Sequence, residues 1–527
     1  MHPAEAFELV LGMLGAILLL YWLAERLRWP PSIALLVGGV ALAFVPGVPL
    51  VTLDPELVLV LFLPPLLGDG AWNAEIARFK RHLTGILSLA VGAVVFSTLV
   101  VAWVAHWMMP SLPWAACAAL GAIVSPPDAI SARSVLQRVQ LPRRLSTLLE
   151  GESLLNDATG LVIFRFAVAA TMGEHFVAGD AIGRFVLLVL GGIGVGLATG
   201  ALWSFIVRRL TDEVLIIVVT TLSNWVGYLV AEALGVSGVI AVVTGGLVLG
   251  WQQHVVFSAG TRLRGSSFWQ VLIFLLEASV FILIGFSLRD VLMRAGGVET
   301  VLGGLATPLL AILFALTIAR FAWIFASDTI VAALCRMGIG RERPIGAASA
   351  IVMGWTGMRG VVTLAAALTL PATFPGRDFI LLAAFGVILV TVVVQGSTLG
   401  LVIRWTGVRR QDDDEPPMNL FEAERAMMQA QLAAVEKAVR SEDGTVIHPQ
   451  LLRRYTARAT AGENFTGTEQ ERTEAIAAHF DVIIGAVEAG RDELVRLHRA
   501  NRIDNETLRS LERDLDLEEL GAESAKA

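Results

Sequence analysis

Long apolar runs return again and again from the N-terminus to about residue 405, and they fix what this chain can become. A run of about 18–25 mostly apolar residues is long enough to cross a bilayer as a helix. Only helices and closed barrels can cross, because no backbone N–H or C=O finds water in the hydrocarbon core. Thirteen such runs are centred near residues 15, 40, 61, 95, 123, 162, 195, 222, 242, 278, 316, 358 and 392. The stretch from about 300 to 335 reads as one long or tilted helix. With 55% hydrophobic and 17% charged residues and a mean hydropathy of +0.69, the chain reads as an all-α polytopic membrane protein. Its first run has no basic n-region and no A-x-A-like site, so it reads as a retained span. Cys117 and Cys335 lie in apolar stretches without metal-ligand or CxxC spacing and read as small buried hydrophobes.

The net charge of −7 hides a split. Residues 411–527 hold 25 Asp and Glu against 14 Lys and Arg, a net of −11, whereas residues 1–410 carry +4. The break falls at "VRRQDDDEPP", a charge run closed by two prolines, which marks a boundary between a membrane domain (1–410) and an acidic tail (411–527). The tail stretches "NLFEAERAMMQAQLAAVEKAV" and "RDELVRLHRANRIDNETLRSLERDLDLEEL" have the pattern of amphipathic helices. They suit an assembly module that binds itself across a dimer, or a regulatory module that senses pH or a ligand.

Basic residues give an orientation. Alternate loops carry Arg26, Arg28; Arg78, Lys80, Arg81; Arg133, Arg138, Arg143, Arg144; Arg208, Arg209; Arg262, Arg264; Arg336, Arg341, Arg343; and Arg404, Arg409, Arg410. The opposite loops carry only Arg184, Arg289, Arg294 and Arg377, so nineteen bases face four. Positive loops stay in the cytoplasm. An odd number of spans, with the N-terminus outside and the tail inside, satisfies both the count and the charge.

Charges inside the spans need a reason, since each costs roughly 2.5–3.5 kcal/mol at the bilayer centre. Asp69, Asp128, Glu152, Asp157, Arg165, Glu232, Glu277, Arg320, Asp328 and Arg359 are the candidates, with Glu150, Glu232 and Asp328 near enough to an edge to be solvated there. Several acids and few bases suggest a cation pathway. In "GESLLNDATG" (151–160), Ser153 and Asp157 share a helix face, as do Glu152 and Asn156. A polar seam between helices needs a hydroxyl or an amide, not two carboxylates.

Two spans are broken. In "LGAIVSPPDAISA", Pro126 and Pro127 remove two backbone donors, and a second half-helix is expected to start near Asp128 with its positive dipole end. Free carbonyls at such a break can bind a cation. In "IVMGWTGMRGVV", Gly354, Gly357 and Gly360 surround Arg359. Irregular backbone at this depth is tolerated only where protein or water covers it. Taking the seventh span as a linker, spans 1–6 and 8–13 form two repeats of opposite orientation, and the two broken spans correspond. That is the sequence signature of an inverted-repeat transporter with its site where the broken helices cross.

The segments "LFLPPLLGDG", "AIVSPPDAIS", "GESLLNDATG", "VSGVIAVVTGGLVLG", "FILIGFSL" and "GMRGVV" occur in this order. Together they resemble the bacterial branch of the NhaP/NHE-type sodium/proton antiporters (monovalent cation/proton antiporter family 1), over about residues 5–405. The tail ending "LERDLDLEEL" also looks like that branch.

The resemblance implies a homodimer of thirteen-helix protomers in the bacterial cytoplasmic (inner) membrane, each with a rigid dimerisation part and a moving core. It implies no catalytic residues, no cofactor and no nucleic-acid partner, and a role in pH and sodium homeostasis. Asp157 would bind cation or proton in turn. Ser153 and the backbone near Pro127 would complete the oxygen shell, Asp128 and Asn156 would support it, and Glu152 would pair with Arg359. Asp69 sits where the family carries an acid that can join the pathway. Many relatives read "TDP" where this chain reads "SPPD", which removes a threonine ligand and leaves the role of Ser125 open. Glu277 stands where an amide is expected, and if ionised it needs a partner that the sequence does not name.

One exchanging carboxylate without an acidic neighbour, Asn156 being next to it, implies one cation for one proton, electrically silent. Na+, K+ and Li+ all suit such a site, as cavity size and ligand rigidity set the choice. A channel could use the same cavity, but no filter of the TVGYG kind is present. The YD and GxGD motifs of an intramembrane aspartyl protease are missing too, and a signalling tail would need a catalytic motif that this one lacks.

Overall fold

The computed structural model describes residues 3–46, 55–128, 141–173, 178–338, 343–408, 420–440, 446–461, 469–500, 502–503 and 505–526. The regular secondary structure among these residues is helical, with one isolated bridge between Arg440 and Val446. Arg133, Arg138, Arg341, Arg409 and Arg410, most of the charged boundary run, and the half-helix expected after Asp128 lie outside the described residues.

The membrane helices are α1 (Pro3–Leu27), α2 (Pro31–Ala43), α3 (Pro55–Asn73), α4 (Leu83–Met108), α5 (Trp114–Val124), α6 (Arg143–Thr171) and α7 (Ala178–Val207). They continue as α8 (Glu213–Ala233), α9 (Gly238–Val256), α10 (Ala259–Arg294), α11 (Ala306–Arg336), α12 (Ala347–Trp355), α13 (Val361–Leu368) and α14 (Arg377–Thr406). Among the described residues, nine helices are long and apolar enough to cross a membrane. The expected centres all fall on helices except that near 358, which lies between α12 and α13. A count of thirteen crossings thus rests on adding α2, α3, α5 and the α12–α13 pair to the nine. The stretch near 300–335 continues from Gly297 to Arg336, with a π-helical turn at Val301–Leu305.

Between lipid-bathed helices the hydrophobic effect gives little attraction, so close packing decides which faces meet. The contact between α2 and α10 is the closest kind. A Cβ on Gly39 would lie 2.6 Å from the Ile282 carbonyl, and one on Gly285 would lie 2.6 Å from the Gly39 carbonyl carbon. Only glycine allows the two backbones this approach. One apolar core joins α4, α5, α6, α11, α13 and α14, and a second joins α1, α2, α3, α10, α13 and α14. The short helix α13 reaches both, which places the second broken span at the centre of the membrane part. Cys117 is buried and Cys335 half-buried, both as free thiols.

The chain divides into two compact units, Met1–Asp414 and Glu415–Ala527. The second contains α15 (Leu420–Ala438), α16 (Pro449–Ala461), α17 (Glu469–Arg499) and α18 (Asn505–Lys526). Arg491 of α17 binds Asp516 of α18 at 2.8 Å and also Glu519, which ties these two helices together.

Candidate functional site

Pro126 and Pro127 decide the local structure of the site. In an unbroken helix the carbonyls of Ala122, Ile123 and Val124 would accept from the N–H groups four residues on. Two of those donors are absent because the residues are proline. The third, the N–H of Asp128, turns aside and donates to the Met358 carbonyl at 2.7 Å, in the gap between α12 and α13. The two broken spans are therefore hydrogen-bonded to each other.

The orphaned groups find partners from other helices. Arg359 Nε donates to the Val124 carbonyl at 2.6 Å. Asn156 Nδ2 of α6 donates to the Pro127 carbonyl at 2.5 Å. The N–H of Arg359 donates to Thr391 Oγ1 at 3.1 Å, in a π-helical turn of α14. A carbonyl has two lone pairs, so Pro127 keeps one beside the Asn156 amide. The carbonyls expected to be free are thus already in part engaged.

Gly360 lies where a Cβ would overlap Asp128 Oδ2. Its φ of −140° and ψ of −147° are not the reason for glycine; the approach of the carboxylate is. Gly360→Ala is expected to displace Asp128 and cut ion flux at least tenfold in proteoliposomes, with the protein still recovered folded. Undiminished flux would mean that the place of Asp128 is immaterial.

The structure corrects one expected partner. Glu152 pairs not with Arg359 but with Arg320 of α11, with Nη1–Oε1 at 2.6 Å and Nη2–Oε2 at 3.0 Å. The two side chains are 2% and 4% exposed. Arg320 Nε also donates to the Met353 carbonyl at 3.2 Å. The physical reason is that Arg359 is drawn to the Val124 carbonyl, left without a helical donor once the Asp128 N–H turns to Met358. Thr391 was missed from the sequence. A lone hydroxyl and a nearby amide, Gln395, in the apolar stretch "VILVTVVVQG" were the only signal.

On α6 the four polar residues separate by burial. Glu152 and Asn156 are sealed inside, at 1% and 0% exposed, whereas Asp157 is 9% exposed and Ser153 half-buried. No ion pair with Asp157 forms among the described residues. Asn156 Oδ1, Ser125 Oγ and Arg359 Nη1 are buried without a hydrogen-bond partner among the described residues. Such groups are rare unless a water or an ion completes them. A cavity of about 420 Å³ runs beside α6 from Arg143 to Leu154, walled by Asn73, Glu75, Arg78, Ser146 and Glu150. Leu154 is one turn short of Asp157.

Asp69 is half-buried and lines a different cavity, of about 1010 Å³, together with Glu277, Tyr21 and Asn224. Asn73 borders both cavities and donates to Asp69 Oδ1 at 3.0 Å. Arg165 pairs with Glu232 at 3.0 Å, and Asp328, half-buried, accepts the N–H groups of Ile345 and Gly346 at 2.6 and 3.2 Å.

Residues 14–405 match the family model for the transmembrane sodium/hydrogen exchanger. The chain belongs to the sodium/hydrogen exchanger family. It is therefore a multi-pass membrane protein of a transporter family, not an enzyme. It is 32% identical to an uncharacterised Na(+)/H(+) exchanger of Mycobacterium tuberculosis, over 97% of this chain and 95% of that one. It is 34% identical to the Na(+)/H(+) antiporter ApNhaP of Aphanothece halophytica, over 77% of this chain and 75% of that one. With the sodium, potassium, lithium and rubidium/H(+) antiporter of Bacillus subtilis it shares 33% identity, over 71% of this chain and 57% of that one. The sodium proton antiporter MjNhaP1 from Methanocaldococcus jannaschii superposes with a TM-score of 0.57 at 21% identity, over 76% of this chain and 98% of that one. That likeness bears on the fold, and it places this exchanger in the NhaP architecture.

Proposed function

We propose that this chain exchanges a monovalent cation for a proton across the bacterial cytoplasmic membrane, with Asp157 holding one or the other in turn. The observation that carries the reading is the division of labour on α6. Glu152 is neutralised by a bidentate arginine, while Asp157, five residues further along the same helix, has no ion pair of its own among the described residues. Ser153 lies on its face of the helix, and Ser125 Oγ, Asn156 Oδ1 and the second lone pair of the Pro127 carbonyl supply oxygen donors of the kind a hard cation takes. Asp128 and Asp69 act as supporting acids, one at the crossing and one in the neighbouring vestibule.

A carboxylate cannot hold a cation and a proton together, so each crossing of the moving part carries one of them. With Asn156 beside it instead of a second acid, the cycle is one cation for one proton and moves no net charge. The basic loops put the N-terminus outside and the acidic tail in the cytoplasm. The cavity beside Arg143–Leu154 then opens inward and is the route by which the cytoplasm reaches the site. The protein works as a homodimer, with the tail as its assembly or regulatory part.

The test is proton movement in proteoliposomes with an imposed pH gradient. Adding Na+, Li+ or K+ is expected to dissipate the gradient, at a rate unchanged when the membrane potential is clamped. Dissipation that follows the potential would replace the 1:1 cycle, and a cation current without proton movement would replace exchange by a channel. The names of the relatives range from sodium alone to four alkali cations, so the ranking among ions is read from the same assay.

A further inference from the structure

The second broken span is held along one face of α14. Thr391, Gln395 and Thr398 follow at spacings of four and three residues, which puts them on that face, within and just after the π-helical turn Thr391–Gln395. Thr398 Oγ1 accepts from the indole Nε1 of Trp355, the last residue of α12, at 2.9 Å. Gly396 brings the α14 backbone against the gap itself, since a Cβ there would lie 3.3 Å from Met358 Sδ. Thr391 Oγ1 accepts the N–H of Arg359 at 3.1 Å.

The two threonines are chemically alike. Each donates its hydroxyl proton to the carbonyl four residues back, Thr391 to Val387 at 2.7 Å and Thr398 to Val394 at 2.6 Å. With the proton committed there, a lone pair of each hydroxyl is turned to the broken span. They differ in what they hold. Thr398 is half-buried and holds an indole. Thr391 is 2% exposed and holds a backbone N–H in the segment Met358–Gly360. That segment touches Asp128 twice. The Met358 carbonyl accepts the Asp128 N–H, and Gly360 lies against the Asp128 carboxylate. From the same segment the Arg359 side chain reaches the Val124 carbonyl at the end of α5. One hydroxyl thus fixes the stretch of backbone that places both.

We propose that Thr391 is a positioning residue for cation exchange, acting through the Arg359 N–H to hold Asp128 and the broken end of α5 where the cation binds. Its consequence for transport rests on the exchange reading; its hold on Met358–Gly360 does not. Valine has the shape of threonine and no acceptor. In Thr391→Val the Arg359 N–H is therefore buried without a partner, and the segment shifts to find one. Cation binding weakens because its oxygen donors are displaced, while the movement that carries the ion across is left alone.

The test is a cation titration in proteoliposomes, with hydrogen–deuterium exchange and thermal unfolding measured on the same full-length variants. Thr391→Val is expected to raise the KM for the cation that the wild type exchanges best by about tenfold, the scale of one stranded buried donor, with turnover nearly unchanged. Thr391→Ser keeps the acceptor and should restore the KM. Thr398→Val loses a matching contact on the same helix and should lower the thermal midpoint without moving the KM. Amide exchange in the peptide covering Met358–Gly360 should be faster in Thr391→Val than in wild type or Thr391→Ser.

An unchanged KM in Thr391→Val, an equal rise in Thr398→Val, or no restoration by serine overturns the proposal, since each describes a threonine that only packs a helix. Unaltered amide exchange in Thr391→Val overturns it at the backbone, whatever the flux. A wild type that moves no protons with any alkali cation fails the exchange reading and the transport role with it. A working wild type with unchanged KM in Thr391→Val fails this proposal alone. Should Thr391→Val not fold, Thr391→Cys decides, because sulfur is a weak acceptor, and wild-type affinity there counts against the proposal.

Discussion

Asp157→Asn is expected to reduce cation-driven proton movement to the level of empty liposomes while leaving the protein as stable as before, or more so. Asparagine keeps the shape of the side chain and its capacity for hydrogen bonds. It cannot carry a proton across the cycle and offers a cation no compensating charge. The side chain is 9% exposed and forms no ion pair among the described residues, so its ionised form carries a desolvation cost that the amide removes. Loss of flux with an unchanged or raised thermal midpoint is thus the signature of a transport residue, and a fall in both would mark a structural one. The measurement pairs the proteoliposome assay with thermal unfolding in detergent. Substantial cation-dependent flux through the asparagine variant would sink the role given to Asp157 and move attention to Asp128.

The second large effect is on stability. Glu152 and Arg320 form a bidentate pair in the interior, and removing one partner of such a pair leaves a buried charge uncompensated, at about 3–5 kcal/mol. Glu152→Gln and Arg320→Met should therefore each lower the thermal midpoint strongly. The double variant Glu152→Leu with Arg320→Met should recover most of the loss, because an apolar pair of similar volume replaces the ions without stranding either. Arg320→Lys should not substitute, since an ammonium cannot reproduce the two-pronged geometry. A double-mutant cycle separates the partners: coupling between Glu152 and Arg320 should exceed that between Glu152 and Arg359. The reverse order would return the ion pair to Arg359.

Much of the fold could be read in advance because its causes are local. The length of an apolar run sets whether a helix can cross, and the centres read from the runs coincide with helices α1 to α11 and α14. The break after Val124 follows from two prolines without N–H groups, and the break before Val361 from glycines around Arg359. Helical periodicity likewise puts Ser153 with Asp157 and Glu152 with Asn156. Burial then separates the sealed residues Glu152 and Asn156 from the more accessible Ser153 and Asp157, a distinction that periodicity alone does not make.

What the sequence by itself determined was therefore one-dimensional: which runs are helices, where they break, and which side chains share a face. The tertiary structure decided what those faces meet. Arg320 and Arg359 were both legible as buried bases, and both lie far along the chain from Glu152. Nothing in their spacing distinguishes them. Arg359 goes to the Val124 carbonyl, Arg320 is left to take Glu152, and Thr391 closes the break by accepting the Arg359 N–H. Each choice depends on an unpaired backbone group brought near by a helix from elsewhere in the chain, and in a low-dielectric interior every such group must be matched.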